Sequence, residues 1–590
     1  MKPSTRPGFS VDSTRREILK GLAGLGVVGT IFSRALYTLA QTTGTVSSDM
    51  IRQAEWIAGV SFTDAEREMM LADLADLEKG FVELRKIALD NAVPPALGFQ
   101  PIAPPPGISR ENSKAPFPVM SPAKGKAAQT PADLAFASIS ELAGWLRTRK
   151  VSPVELMTNA FRRIEQLDPQ LKAIITQTRE LAEKQARAAE RDFQRRQIHS
   201  PLQGIVWGAK DLIAVPGYPT TWGSPIYKTQ VRPEHATVSV KLEKAGAVLV
   251  GKTSVGELAM GDVWFGGTTR NPWNIAQGSS GSSAGSASGT AAGLFTFGIG
   301  TETLGSIVSP STRCGVTGLR PTFGRVSRFG IMALAWSMDK AGVIARSAED
   351  CAFVFSAIHG SDPLDSSAQS APFGFPSVQK LKSIRVGFVE KAFEDPRFED
   401  SPVPVPSERK AEVLEQLAFD RQTLDVLRRL GVNLIPIKLP ERIPMSAMFS
   451  ILTAEAATAF DELVRTGKVS QMVDQTAQAW PNTFRQGQLI PAVEYLRANR
   501  VRCLLMQEME AAIKEVDVYV CPSFGGSSLF ITNLTGHPAL CLPNGFRASN
   551  GTPTSITFTG KLFGETALLS AGMAYQAATD FHKKRPPMAI

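Results

Sequence analysis

Residues 278–324 constrain this chain more than any other stretch: GSSGSSAGSASGTAAG, then LFTFGIGTETLGSIVSPSTRCGVTGLRPTFG. Gly, Ser and Ala alone cannot build a packed core, but they let backbone approach backbone or ligand closely. The apolar run 294–299 has the length of a buried strand. Gly300-Thr301-Glu302-Thr303-Leu304-Gly305-Ser306 then delivers a serine beside free backbone N–H groups, a placement suited to a nucleophile. A flexible linker shares the Gly/Ser content but is not followed at once by a hydrophobic strand and a Cys-Gly-Val-Thr-Gly-Leu run.

At 590 residues the chain could form several domains or one large one with extensions. Of the formal charge of +9, the first forty residues carry +4 (six Lys/Arg against two Asp/Glu), leaving +5, too little to argue for nucleic acid. Cys314, Cys351, Cys503, Cys521 and Cys541 show no metal-ligand spacing and read as buried free thiols, and the histidines add no metal pattern.

Thr14-Arg15-Arg16-Glu17-Ile18-Leu19-Lys20 precedes a weakly hydrophobic run, 21–32. It resembles a twin-arginine export signal, with small residues around Ala40 as a cleavage point. The run is about half the roughly 20 residues that span a bilayer, so no stable membrane anchor is expected. The expected partner is the export machinery, and the expected location periplasmic or extracellular. Residues 41–92 read as a helical extension, with a Thr63/Glu66 capping box and a Met70, Leu74, Leu77, Phe81, Leu84 stripe. Residues 93–132, with proline recurring from Pro94 to Pro122, read as an extended connector.

The main body is expected at 133–590. Ser138/Glu141 and Ser152/Glu155 mark helix starts, and 176–195 reads as a charged helix. Residues 202–211 give an apolar strand ending in Lys210; helix 237–245 and strand 247–250 follow. Later come helix 410–430 and strand 516–520. Short apolar strands alternating with helices predict an α/β fold, one large domain around a central mixed β-sheet flanked by helices. Gly246-Ala-Val-Leu-Val-Gly251-Lys252-Thr253 matches the P-loop pattern, but its four middle residues read as a strand rather than a phosphate cradle, so nucleotide binding is rejected.

Asn271-Pro272-Trp273-Asn274, the Gly/Ser tract, Gly305-Ser306-Ile307, Cys314-Gly315-Val316-Thr317-Gly318-Leu319-Arg320-Pro321-Thr322 and Asn533-Leu534-Thr535-Gly536-His537-Pro538-Ala539 together resemble the amidase signature family. The resemblance runs from about Phe136 to His582. It implies a Ser-Ser-Lys triad: Lys210 as general base, Ser282 on a cis peptide bond as proton bridge, and Ser306, 24 residues on, as nucleophile. Ser279, Ser280, Ser283, Ser286 and Ser288 are decoys, with Ser283 the supporting neighbour and Glu302 the family's acidic position. Backbone N–H groups of Thr303, Leu304, Gly305 and Ser306 would hold the oxyanion. The implied reaction is hydrolysis of a small-molecule linear amide, with no cofactor or metal. Lysine can act only unprotonated, so Lys210 should be buried with its pKa depressed.

Departures from the family pattern bear on substrate. Leu304 stands where the family has glycine, a change that would narrow the acyl pocket or tilt the oxyanion donors. Val308 stands where arginine is common, which would remove a charge partner near Glu302. Trp222, Met260, Trp264 and Phe265 suggest a pocket for an apolar or aryl substrate. Two alternatives stand beside the amidase reading: a glutamine-hydrolysing amidotransferase subunit, and a non-catalytic binding protein on the same scaffold. A homo-oligomer is compatible with either.

Overall fold

The computed structural model describes residues 46–89, 96–97, 128, 130–396 and 406–589. The expected leader at 1–40 and nearly all of the expected connector at 93–132 lie outside them. Fifteen strands are present among the described residues: β1 Ile174–Gln177, β2 Val206–Lys210, β3 Val248–Thr253, β4 Val263–Trp264, β5 Gly267–Thr268, β6 Arg270–Asn271, β7 Asn274–Gly278, β8 Phe297–Glu302, β9 Thr317–Arg320, β10 Lys340–Ala345, β11 Val386–Val389, β12 Leu434–Ile437, β13 Val518–Pro522, β14 Ala539–Phe546 and β15 Pro553–Gly560.

Eleven of them form one mixed sheet, in the order β1-β3-β2-β8-β10-β9-β14-β15-β13-β11-β12. The pairs β3–β2–β8 and β13–β11–β12 are parallel, while the middle from β8 to β13 is antiparallel. Helices cover the sheet: Arg179–Gln194 packs on β3, Ala348–Ile358 on β10, and Ser407–Arg429 on β15. β2, β3, β8, β9 and β10 are buried along their whole length. Such strands read as continuous apolar or small-residue runs because both faces are covered.

Several expected elements shift: strand 202–211 is Val206–Lys210, strand 247–250 is Val248–Thr253, strand 516–520 is Val518–Pro522, and helix 410–430 begins at Ser407. The strand expected at 294–299 begins three residues later and carries Thr301 and Glu302 inside it, because its glycines and threonine extend as readily as the apolar residues before them. The helix expected from 176 starts at Arg179, since Ile174–Gln177 joins the sheet edge against β3. Within the Gly/Ser tract, Ala284–Ala291 is a helix with all eight residues buried. Gly and Ser are poor helix formers, so this helix is held by tertiary packing rather than propensity. Its small side chains let it lie hard against β8, where a Cβ on Gly300 would come within 2.7 Å of Ser283 Oγ.

The rejected P-loop segment is indeed strand β3, and Lys252 Nζ spends itself on Asp211 Oδ1 at 2.6 Å, both side chains fully buried. The Thr63, Ser138 and Ser152 capping boxes are all formed. The N-terminal extension is two helices, Ser48–Ala58 and Asp64–Lys86, the second burying Met70, Phe81 and Leu84. It docks on helices Trp480–Gly487 and Ala492–Ala512 through Glu66–Arg485 (2.5 Å), Asp73–Gln486 (2.6 Å) and Arg85–Glu494 (2.6 Å). Four cysteines are buried free thiols, whereas Cys503 is half-buried.

Candidate functional site

The site is built where β2 and β8 run side by side in parallel, Ala209 opposite Ile299. Lys210 is the last residue of β2 and has no solvent exposure. Its Nζ lies 2.9 Å from Ser282 Oγ, 3.1 Å from Ser283 Oγ, 2.8 Å from Thr301 Oγ1 and 3.3 Å from the Thr301 carbonyl. Burial drives the Lys210 pKa down to about 7, while the charges of Asp339 and Glu302 pull it the other way.

The hydrogens can be assigned from these contacts. Ser283 Oγ donates to the Thr301 carbonyl and accepts from Thr301 N–H, so toward Lys210 it can only accept. An uncharged Lys210 amine therefore donates to Ser283 and Thr301, and its lone pair is left for the Ser282 hydroxyl. Ser282 follows a cis peptide bond after Gly281.

Ser306 is 9% exposed, and its carbonyl accepts from Ser283 N–H at 3.1 Å, which sets the two serine segments side by side. Among the described residues no hydrogen bond joins the Ser282 and Ser306 hydroxyls. Residues 303–307 form a turn between β8 and the helix Val308–Cys314, with Gly305 at φ 87°. That conformation favours glycine. The N–H groups of Thr303, Leu304, Gly305 and Ser306 donate to no protein group among the described residues, whereas those of Ile307 and Val308 both donate to Glu302 Oε2, at 2.8 and 3.0 Å. Glu302 thus ends the row of free donors and fixes the turn that carries them.

The expected gap beside Glu302 is filled. With Val308 in the arginine position, Glu302 Oε1 instead accepts from Arg320 of β9 at 2.5 Å and from Asn533 Nδ2 at 2.8 Å. Burial opposes its ionisation, but the Arg320 guanidinium and the Val308 N–H outweigh it and hold the carboxyl down at about 2. Lys340 of β10, paired in register with Glu302, is also buried, and burial pushes its amine well below its ordinary value. Asp339 closes the other side: Oδ1 accepts from Thr303 Oγ1 at 2.6 Å and Oδ2 from Leu334 and Ala335 N–H.

A cavity of about 210 Å³ adjoins Thr301 and Thr303, walled by Leu212, Ala259, Met332 and Leu334. A second of about 270 Å³ shares Leu212, Met332 and Trp336 with it and is closed by Trp222 and Phe460. Of the four aromatic and apolar residues expected at a pocket, Trp222 stands on a cavity wall. Trp264 packs edge-on against Phe265 with centroids 4.9 Å apart, and Met260 packs on the neighbouring hydrophobic core. Leu304 joins that same core from the turn at 303–307. Thr301, Arg320, Asp339, Lys340 and Asn533 were not singled out from sequence. Arg320 and Asn533 lie inside the motifs that carry the family resemblance, but no role is read for them there.

A family model described as Amidase matches residues 155–569. A glutamyl-tRNA(Gln) amidotransferase subunit from Methylococcus capsulatus is 34% identical over 498 residues, spanning 76% of this chain and 98% of that protein. Its counterpart from Rippkaea orientalis is 32% identical over 486 residues, spanning 77% and 100%. Among solved structures, the native peptide amidase from Stenotrophomonas maltophilia is similar with a TM-score of 0.67 and 28% identity, over 78% of this chain and 99% of that one.

Proposed function

The chain belongs to the amidase signature family, hydrolases acting on carbon–nitrogen bonds, and from that premise we propose that it hydrolyses a linear carboxylic amide to acid plus amine or ammonia. The observation that carries this reading is the fully buried Lys210 amine at 2.9 Å from Ser282 Oγ. In the proposed route the Ser306 hydroxyl proton passes to Ser282 as the Ser282 proton passes to Lys210. Ser306 Oγ attacks the carbonyl carbon, and the oxygen takes up the charge between the free N–H groups of residues 303–306. Each such donor is worth about 3–4 kcal/mol in hydrolases. The C–N bond then breaks as the proton returns through Ser282 to the leaving nitrogen, and water repeats the sequence on the acyl-enzyme.

A second reading draws on the 34% identity to an amidotransferase component: release of ammonia from glutamine for a partner protein. Assaying the purified protein on aliphatic, aryl and peptide amides beside free glutamine separates the two. Turnover of several amides with glutamine no better than the rest is expected. Glutamine as the sole substrate would favour the amidotransferase reading, and no turnover of any would favour a binding protein on the same scaffold.

The site-bearing body is taken as 133–590, with the two docked helices as its extension. The paired Arg15-Arg16 ahead of the 21–32 run supports reading 1–40 as a twin-arginine leader that takes the enzyme to the periplasm or beyond. Replacing both arginines with lysine is expected to keep the protein in the cytoplasmic fraction; an unchanged distribution would refute export by this route.

A further inference from the structure

We propose that the cavity between helices Val308–Cys314 and Ser407–Arg429 is a subsite for a cationic group of the substrate, an ammonium or guanidinium, with the Asp420 carboxylate as its counter-charge. The inference rests on Ser306 being the nucleophile. The cavity measures about 490 Å³. Two walls tie it to the reaction centre. Ser309 and Thr312 line it, both on the helix that begins two residues after Ser306. The loop through Ser523 and Phe524 also lines it and leads into helix Ser528–Thr535, whose Leu529 covers Gly305.

Asp420 is 1% exposed and lines this cavity. Both of its hydrogen bonds fall on Oδ1, from Gln416 Nε2 at 3.0 Å and Asn544 Nδ2 at 2.8 Å. Among the described residues Oδ2 accepts no hydrogen bond and Asp420 makes no ion pair. A carboxylate can accept about four hydrogen bonds, and a buried charge left without a counter-charge is costly. Burial accordingly raises the Asp420 carboxyl to about 7, against the pull of the two amides and of Arg547.

The charged and titratable groups around it are few. Arg547 donates to Gln416 Oε1, Thr552 Oγ1 and the Pro553 carbonyl. Burial and the Asp420 charge both raise Tyr575 and Cys521 above neutrality, so neither titrates against it near pH 7. Arg313, Glu394, Glu412 and Arg547 line the same cavity. Burial favours the protonated carboxyl. A bound cation favours the ionised form, so cation affinity rises as pH rises from 6 to 8.

Calorimetric titration with hexylammonium, and with hexanol as its uncharged counterpart, reads the cavity without needing turnover. The wild-type protein is expected to bind hexylammonium, more tightly at pH 8 than at pH 6, and Asp420→Asn to weaken it at least tenfold while leaving hexanol unchanged. Val413→Trp, which fills the cavity and keeps the carboxylate, is expected to abolish binding of both. In hydrolysis, Asp420→Asn should raise KM at least tenfold for an amide ending in an ammonium and less than twofold for its methyl-ended analogue. Absence of hexylammonium binding to wild type, or equal effects of Asp420→Asn on charged and uncharged probes, overturns the proposal. Binding that behaves as described in a protein that hydrolyses no amide would instead refute the Ser306 reading and leave the cation site standing.

Discussion

Ser306→Ala is expected to lower kcat by about 10⁵–10⁶-fold, the loss seen when a serine hydrolase is stripped of its nucleophile. The side chain is small and its hydroxyl makes no hydrogen bond among the described residues. Stability should therefore stay within about 0.5 kcal/mol of wild type, so lost turnover reports chemistry rather than unfolding. A fluorophosphonate, which phosphonylates an activated serine with loss of fluoride, should label the wild-type protein at one site and leave the variant unlabelled. Ser282→Ala is expected to be nearly as damaging, because the two hydroxyls and the amine act as one proton route. The Ser282→Ala/Ser306→Ala double variant should then be no worse than Ser306→Ala alone. Equal labelling of wild type and Ser306→Ala would remove the nucleophile assignment, and additive losses in the double variant would remove the shared route.

The sequence carried the fold's long-range plan and the family resemblance more clearly than the details around the site. Lys210 came from the family resemblance rather than from its surroundings, since a strand-end lysine alone is no signal and Lys252, at the end of the next apolar strand, is spent on Asp211. The capping boxes at Thr63, Ser138 and Ser152 were legible because each is a local pattern of two residues. The helix Ala284–Ala291 was not, since Gly-Ser-Ala composition names a loop, and only the packed face of β8 turns it into a helix. Glu302's partner was missed for a related reason. Arg320 is eighteen residues away and meets the carboxylate only because β9 and β8 both pair with β10. Aromatic residues near the site in sequence were a poor guide to the cavity wall. Trp264 and Phe265 satisfy one another by edge-on packing, while Met332 and Leu334 reach the cavity from a later loop.

The pH dependence of turnover tests the base directly. Burial holds the Lys210 pKa at about 7, with Asp339 and Glu302 pulling it upward, and only the uncharged amine can take the Ser282 proton. The free-base fraction grows as pH rises, so kcat/KM for an uncharged amide should climb about tenfold per unit below pH 7 and level off above it. An uncharged amide matters here because Asp420 titrates in the same range, and its protonation should move KM only for cationic substrates. Lys210→Met removes the base and is expected to cost about 10³–10⁴-fold in kcat. Lys210→Arg should be no better, because a guanidinium keeps its proton at every accessible pH and cannot accept another. A rate independent of pH between 5 and 9, or an active arginine variant, would mean that the proton leaves Ser306 by some other path. The depressed amine and the low Glu302 carboxyl express one design. Burial beneath the turn lowers the Lys210 amine, while the Arg320 ion pair keeps its neighbouring carboxylate ionised, so the two are pushed toward opposite protonation states.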